Sequence, residues 1–280
     1  MSPAGFRGAK IALLEARLAT ETAAMVRRLG GVPVIAPALA EESLDADVEV
    51  AAFVDRLLAD TEPIVVFLTG SAAARLFATA ERLRRSADLI AGLRRAVIVA
   101  RGPKPAGALS RGGVTASIAV AEPYTTADVI ASLAALVVDR RSTTVVHYGE
   151  RNVLLLEALV ARGAIVSELM LYEWRLPADT APLGRAIDDL LIGAIPILAF
   201  TSQIQVRHLF EVAGPERRDR LVAVLNERVL VGAVGPTCAA AVRAAGIDSP
   251  IVPEHPKLAP MLNALALAHA SRRRGDPTPT

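Results

Sequence analysis

Two stretches of this chain carry nearly the same phrase: VVFLTGSAAARLF from Val65 to Phe77, and ILAFTSQIQVRHLF from Ile197 to Phe210. Each runs an apolar segment into a Thr, then a Gly or Ser, with an Arg six positions after the Thr. Thr69 and Thr201 stand 132 residues apart. MVRRLGGVPV (25–34) aligns with LVARGAIV (159–166) and sets Gly31 over Gly163, again 132 apart. ARGPKPAGALSRGGV (100–114) aligns with AVGPTCAAAVRAAGI (233–247), with Gly102-Pro103 over Gly235-Pro236 and Gly113 over Gly246, each 133 apart. Strand–Gly–helix punctuation recurs in any α/β protein, but three landmarks in one order at intervals of 132 or 133 favour a duplicated β/α lobe.

The pattern between the landmarks supports that reading. KIALLEA, PIVVFLT, RAVIVA, TTVVHYG, AIPILAF and RVLVGAVG are Ile/Val-rich without polar alternation, as parallel strands covered on both faces are. Segments of helical spacing follow them, among them ATETAAMVRRLGG, NVLLLEALVARGA and PTCAAAVRAAGI. PVIAPALAEES (33–43) and SELMLYEWRLP (167–177) are strand-like, Pro-containing, and fall just after the first helix of each repeat. The first βα unit, about 9–35, then leaves its own half and docks on the other, the chain crossing near Ala36 and returning near Glu173. The fold class expected is α/β, with two similar parallel-sheet lobes of flavodoxin or Rossmann type and a cleft between them. Residues 1–36 with 175–270 form one lobe, 37–174 the other, and 271–280 a disordered tail.

Composition narrows the function. Hydrophobic residues make up 52% of the chain, which suits a large core. No apolar run reaches the roughly 20 residues of a membrane helix, and the first ten residues show no secretory pattern. A net charge of +2 gives no case for nucleic acid. Cys238 is the only cysteine, so no intrachain disulfide forms and a reducing cytoplasmic setting fits. P-loop, G-x-G-x-x-G, H-E-x-x-H and G-x-S-x-G patterns are missing, and the four histidines lack metal-ligand spacing. No metal or cofactor is expected.

Strand-to-helix loops are where an open parallel sheet binds ligands, because free N–H groups at helix starts attract anions. Thr69-Gly70-Ser71, Arg101-Gly102-Pro103-Lys104, Gly149-Glu150-Arg151, Thr201-Ser202-Gln203 and Gly235-Pro236-Thr237 occupy such places. Arg17, Arg101, Lys104 and Arg151 add positive charge near them. Taken singly, the Ser and Thr residues read equally as N-caps and the glycines as turns. Tyr172 and Trp174 lie on the second crossing strand, where a packed role and a site role are both open.

FTSQIQV, VGPTCAAAVRAAGI and LVARGAIVSELMLYEW, in this order and duplicated, resemble the uroporphyrinogen-III synthase family over roughly 9–268. FLTGSAAARL, ARGPKPAGAL and PEHPKLAPML are closer to a bacterial branch, some of whose members are joined to a DNA-binding domain. The resemblance implies two α/β lobes joined by a two-stranded connector. It also implies cofactor-free closure of hydroxymethylbilane, a linear tetrapyrrole with eight carboxylates, with inversion of ring D and loss of water. It makes Tyr172 the residue assisting hydroxyl departure, and Ser202 and Thr237 contacts for substrate carboxylates. The first repeat departs from the family's Thr-Ser and Gly-x-Thr, reading Thr69-Gly70 and Gly102-Pro103-Lys104 instead. A cytoplasmic monomer, fed by the upstream deaminase, is the expected setting. A non-catalytic tetrapyrrole sensor on the same lobes, or a binding protein for another small anion, is the alternative.

Overall fold

The structure is a computed structural model and describes residues 5–16 and 18–272. Arg17 and residues 273–280, which hold most of the expected tail, lie outside the described residues. The chain opens with β1 (Lys10–Leu13), α1 (Ala19–Arg28), β2 (Val32–Ile35) and β3 (Ala40–Ser43). Next come α2 (Asp47–Ala59), β4 (Ile64–Phe67), α3 (Gly70–Arg82), α4 (Ser86–Arg95) and β5 (Val97–Ala100). They are followed by α5 (Pro103–Arg111), β6 (Ile118–Ala119), α6 (Thr126–Leu133), β7 (Ser142–Val146), α7 (Val153–Ala161), β8 (Ile165–Leu169) and β9 (Tyr172–Arg175). The last third holds α8 (Ala181–Leu191), β10 (Ile197–Phe200), α9 (Gln203–Ala213), α10 (Pro215–Glu227), β11 (Leu230–Ala233), α11 (Pro236–Ala244) and α12 (Leu258–Arg272).

These elements divide into two compact units, one running to Ala40 and resuming at Arg175, the other Glu41–Trp174. The Glu41–Trp174 unit has a parallel five-stranded sheet ordered β6-β5-β4-β7-β8. The other has a parallel four-stranded sheet ordered β11-β10-β1-β2. β3 pairs with β9 in a two-stranded ribbon, and these two strands carry the chain from one unit to the other and back.

Each sheet is covered on both faces, which is why its strands read as unbroken apolar runs. In β4 all four residues are buried, and the side chains alternate between two cores. Val65 and Phe67 pack with α2, α3, α4 and α5, while Ile64 and Val66 pack with α6 and α7. In β10, Leu198 and Phe200 face one core, with α8 to α11, and Ile197 and Ala199 face the other, with α1 and α12.

The repeat is real, and its register is 133 throughout. Ile64–Phe67 answers Ile197–Phe200, Val97–Ala100 answers Leu230–Ala233, and the strand starts Val32 and Ile165 correspond. Two of the sequence alignments shift by one residue as a result. The helix-ending glycines with positive φ are Gly30 and Gly163, so Gly31 is not the partner of Gly163. Likewise Thr69 matches Ser202, both being N-caps, and Leu68 matches Thr201. Identical letters drew Thr69 onto Thr201, whereas strand length and cap position decide the structural match. The crossing segment 167–177 also divides: its first part belongs to β8 of the five-stranded sheet, and Tyr172 begins β9.

Phe67 and Phe200 sit at matching strand ends with no exposed surface. Phe67→Ala and Phe200→Ala are each expected to cost about 3–5 kcal/mol, measured as the shift in denaturant unfolding.

Candidate functional site

Loops that meet at the carboxyl edge of a parallel sheet gather where the strand order reverses direction, and ligands bind there. In the five-stranded sheet the chain builds β4, β5 and β6 to one side, then starts again with β7 on the other. Phe67 is in register with Val146 of β7 and Ala100 of β5, so the loops after these three strands lie side by side.

Thr69 ends the first loop as the N-cap of α3, its Oγ1 accepting the Ala72 N–H at 3.1 Å. The same oxygen lies 3.1 Å from the Tyr172 hydroxyl. Tyr172 is 1% exposed. Burial pushes its phenol upward; the Thr69 hydrogen bond, the Gly149 backbone N–H and the Arg75 cation oppose this, and the Glu41 carboxylate adds to it. The net shift is upward, so Tyr172 is a protonated phenol at neutral pH. The Arg75 guanidinium stands 5.0 Å over the Tyr172 ring. It is held there by Ser43 Oγ and by Glu41 Oε2, at 3.3 Å, both from β3.

Arg101, just past β5, donates its Nε–H to the Leu68 carbonyl at 3.0 Å and lies 4.9 Å over the Tyr148 ring. Burial lowers its pKa, and its electrostatic neighbours are the phenols of Tyr148 and Tyr172, not carboxylates. Tyr148 in turn stacks on Trp174, with centroids 5.2 Å apart. Gly149 fits because nothing larger can: a Cβ there would stand 2.3 Å from the Trp174 ring. Its carbonyl accepts the Trp174 N–H at 2.8 Å, which pins the β7–α7 loop to β9.

The two departures from the family pattern touch each other. A Cβ on Gly70 would stand 2.8 Å from the Lys104 carbonyl oxygen, so Gly70 lets the first turns of α3 and α5 close together. Gly102 has φ +84° and lies under the Tyr124 ring. Lys104 is exposed and Ser71 half-buried. Gly70→Ser, which restores the family residue alone, is expected to destabilise the protein by about 1–3 kcal/mol in thermal unfolding.

Arg151 points elsewhere. Its Nε donates to Glu168 Oε2 at 2.6 Å and its Nη2 to Glu168 Oε1 at 2.5 Å, a two-pronged pair onto β8. Glu168 also meets the fully buried His147, Nε2 to Oε2 at 3.0 Å. The Asn152 N–H donates to His147 Nδ1, so the neutral ring carries its proton on Nε2, towards Glu168. These groups line a pocket of about 370 Å³ with Asp45 and Glu49. The Arg151 hydrogen bonds hold the Glu168 carboxyl below its usual value, with burial opposing. A depressed carboxylate stabilises the fold above its ordinary pKa and loses that contribution as pH falls through its folded value. Wild-type melting temperature is therefore expected to fall as pH drops below 4.5, and Glu168→Gln to flatten that slope.

The remaining candidates lie in the other unit, where strand order reverses between β1 and β10. Thr201 Oγ1 donates to Glu15 Oε2 at 2.7 Å and accepts the Gln205 amide at 2.9 Å, while the Thr201 N–H donates to Gln205 Oε1 at 2.7 Å. Ser202 takes the N-cap position of α9 without making a cap bond, and its Oγ is buried with no hydrogen-bond partner among the described residues. Gln203 opens α9; Gly235 caps α11, and Thr237 is exposed in its first turn. Burial pushes the Cys238 thiol up to about 12, so it stays protonated.

The sequence thus brought out Thr69, Gly70, Arg101, Gly102, Lys104, Gly149 and Tyr172, which the fold gathers in one unit. Arg75, Tyr148 and Glu15 were missed. Arg75 stood in the repeated phrase as its Arg landmark, but nothing local says that it stacks on Tyr172.

The family described as uroporphyrinogen-III synthase HemD matches residues 20–263. A Bacillus subtilis protein, YjjA, of uncharacterised role, is 29% identical over 94% of this chain and 96% of its own length. A Methanothermobacter thermautotrophicus protein, provisionally assigned as a uroporphyrinogen-III synthase, is 31% identical over 89% of this chain and 93% of its own. The crystal structure of a mutant uroporphyrinogen III synthase from Thermus thermophilus is 29% identical and superposes with a TM-score of 0.76, covering 95% of this chain and all of that one.

Proposed function

This chain belongs to the uroporphyrinogen-III synthase family, and on that premise we propose that it closes hydroxymethylbilane into the type III macrocycle with Tyr172 as the proton donor. The observation that carries the reading is the place of Tyr172: a buried phenol at the sheet's carboxyl edge, 3.1 Å from Thr69 Oγ1, with the Arg75 guanidinium over its ring.

The chemistry asks little of the protein beyond this. The pyrrole nitrogen supplies the electron pair that expels the terminal hydroxyl, so a strong nucleophile is unnecessary. The Tyr172 O–H bond breaks as the C–O bond breaks; the departing oxygen takes that bond's pair and the proton, and leaves as water. A phenolate remains. Ring closure later releases a proton from the attacked pyrrole, which restores the phenol. The harder task is holding an octa-anion so that attack falls on the substituted carbon of ring D.

Arg101 suits carboxylate binding because its half-buried guanidinium meets no carboxylate among the described residues. Lys104 in the first turn of α5 and the Ser71 amide in the first turn of α3 extend the same positive surface. In the other unit, the unpaired Ser202 hydroxyl at the α9 N-terminus, with Gln203, Gly235 and Thr237, offers a second group of donors. Thr201 serves instead to fix Glu15 and Gln205. Arg151 is a structural cation, satisfied by Glu168. Arg17 stays a candidate by sequence alone. The reading further has the protein acting as a cytoplasmic monomer without a cofactor, on substrate released by a deaminase. No described helix is long and apolar enough to cross a membrane.

Expression in a bacterium stripped of its own synthase tests this. Growth without added haem is expected from the wild-type chain. Tyr172→Phe is expected to lower turnover about a hundredfold or more while leaving product affinity within about threefold. Normal turnover in that variant would remove Tyr172 from the mechanism.

A further inference from the structure

Three groups bear on the Tyr172 phenol, two from α3 and its cap and one from the β7–α7 loop. Thr69 Oγ1 approaches from the start of α3, at 3.1 Å. The Gly149 backbone N–H, from the β7–α7 loop, favours the ionised form of the same phenol. The Arg75 guanidinium covers the ring face at 5.0 Å. None of the three is free to drift. Thr69 Oγ1 is anchored as the cap of α3, and Gly149 by its bond to the Trp174 N–H and by the Trp174 ring that fills the place of a side chain. Arg75 is tethered to Glu41 and Ser43.

We propose that Thr69 is a positioning residue for Tyr172: its hydroxyl forms a cradle that orients the phenol and stabilises the phenolate left after proton transfer. A threonine hydroxyl has one hydrogen to give. With the phenol neutral, either oxygen of the Thr69–Tyr172 pair can donate. Once Tyr172 has lost its proton, Thr69 is the only possible donor of the two. Its other face already accepts the Ala72 N–H, which aligns the positive end of α3 behind the developing charge. Donors fixed in advance need no rearrangement as charge develops. Binding a substrate carboxylate would use the same hydrogen, so the cradle and the carboxylate-binding role expected from sequence exclude each other during proton transfer. The inference rests on the reading of Tyr172 as the acid and reassigns Thr69 within it.

Steady-state kinetics on freshly generated hydroxymethylbilane, with Thr69→Val, Thr69→Ser, Tyr172→Phe and the Val/Phe double variant, test it. Thr69→Val is expected to lower kcat about tenfold to a hundredfold with KM within about twofold, the loss of one hydrogen bond to a charged group. Thr69→Ser is expected to restore most of that loss, and Thr69→Val to add nothing once Tyr172 is Phe. A raised KM with kcat intact, or a loss additive with Tyr172→Phe, would overturn the cradle. A second readout needs no turnover: the phenolate absorbance of Tyr172, isolated as wild type minus Tyr172→Phe across a pH titration. Thr69→Val should move this ionisation to higher pH, and so should Thr69→Asp, which keeps a capping acceptor for α3 but has no donor. An unmoved ionisation refutes the cradle. A wild-type protein that makes no type III isomer would sink the synthase reading instead, leaving the titration to decide the cradle.

Discussion

A buried phenol must find a hydrogen-bond partner, and Tyr172 finds one 103 residues away in Thr69. That contact sets the terms for what surrounds it. It requires β9 to run past the carboxyl end of β4, and it requires α3 to start immediately after the strand so that Thr69 caps the helix and faces the phenol together. It also draws in the β7–α7 loop, whose Gly149 accepts the Trp174 N–H from the same strand as Tyr172. A ribbon strand, a helix cap and a loop are thus fixed around one oxygen.

Electrostatics at this edge are arranged by which cations have acids. Arg75 and Arg151 are paired with Glu41 and Glu168, and hold pieces of structure in place. Among the described residues Arg101 is paired with no carboxylate; it donates to the Leu68 carbonyl and packs on Tyr148, which is itself stacked on Trp174. A desolvated cation without a counter-ion is costly unless a ligand supplies the charge, as the polycarboxylate of the proposed reaction would. Gly70, by admitting the Lys104 carbonyl, lets another helix start and another cation crowd the same edge. The sequence change that looked like a lost hydroxyl is a packing solution shared by α3 and α5.

Much of the fold could be read from the sequence because doubly covered parallel strands leave a strong trace: Ile64–Phe67, Val97–Ala100, Ile197–Phe200 and Leu230–Ala233 are short apolar runs ending in turn residues. The duplication was legible for the same reason. Its register was one residue off at Thr69 and Gly31, since letter identity carries no information about where a strand ends and a cap begins. The candidate site's loops were legible where helix starts follow strands, as at Thr69, Gly102 and Gly149. It was illegible where side chains meet across elements. Arg75 needs Ser43 and Glu41 of β3 to hold it over Tyr172, and Tyr148 needs Trp174 on β9. Arg151 looked like a ligand cation because Glu168 lies on a different strand. Such pairings are properties of the folded sheet, and spacing along the chain does not encode them.

The most direct measurement is the isomer composition of the uroporphyrin obtained when the purified protein meets hydroxymethylbilane as it forms, with the products oxidised and separated by chromatography. Type III isomer well above the type I that arises spontaneously is expected. Type I alone, with the protein folded and the macrocycle tightly bound, would contradict it and make the chain a tetrapyrrole-binding relative without the reaction.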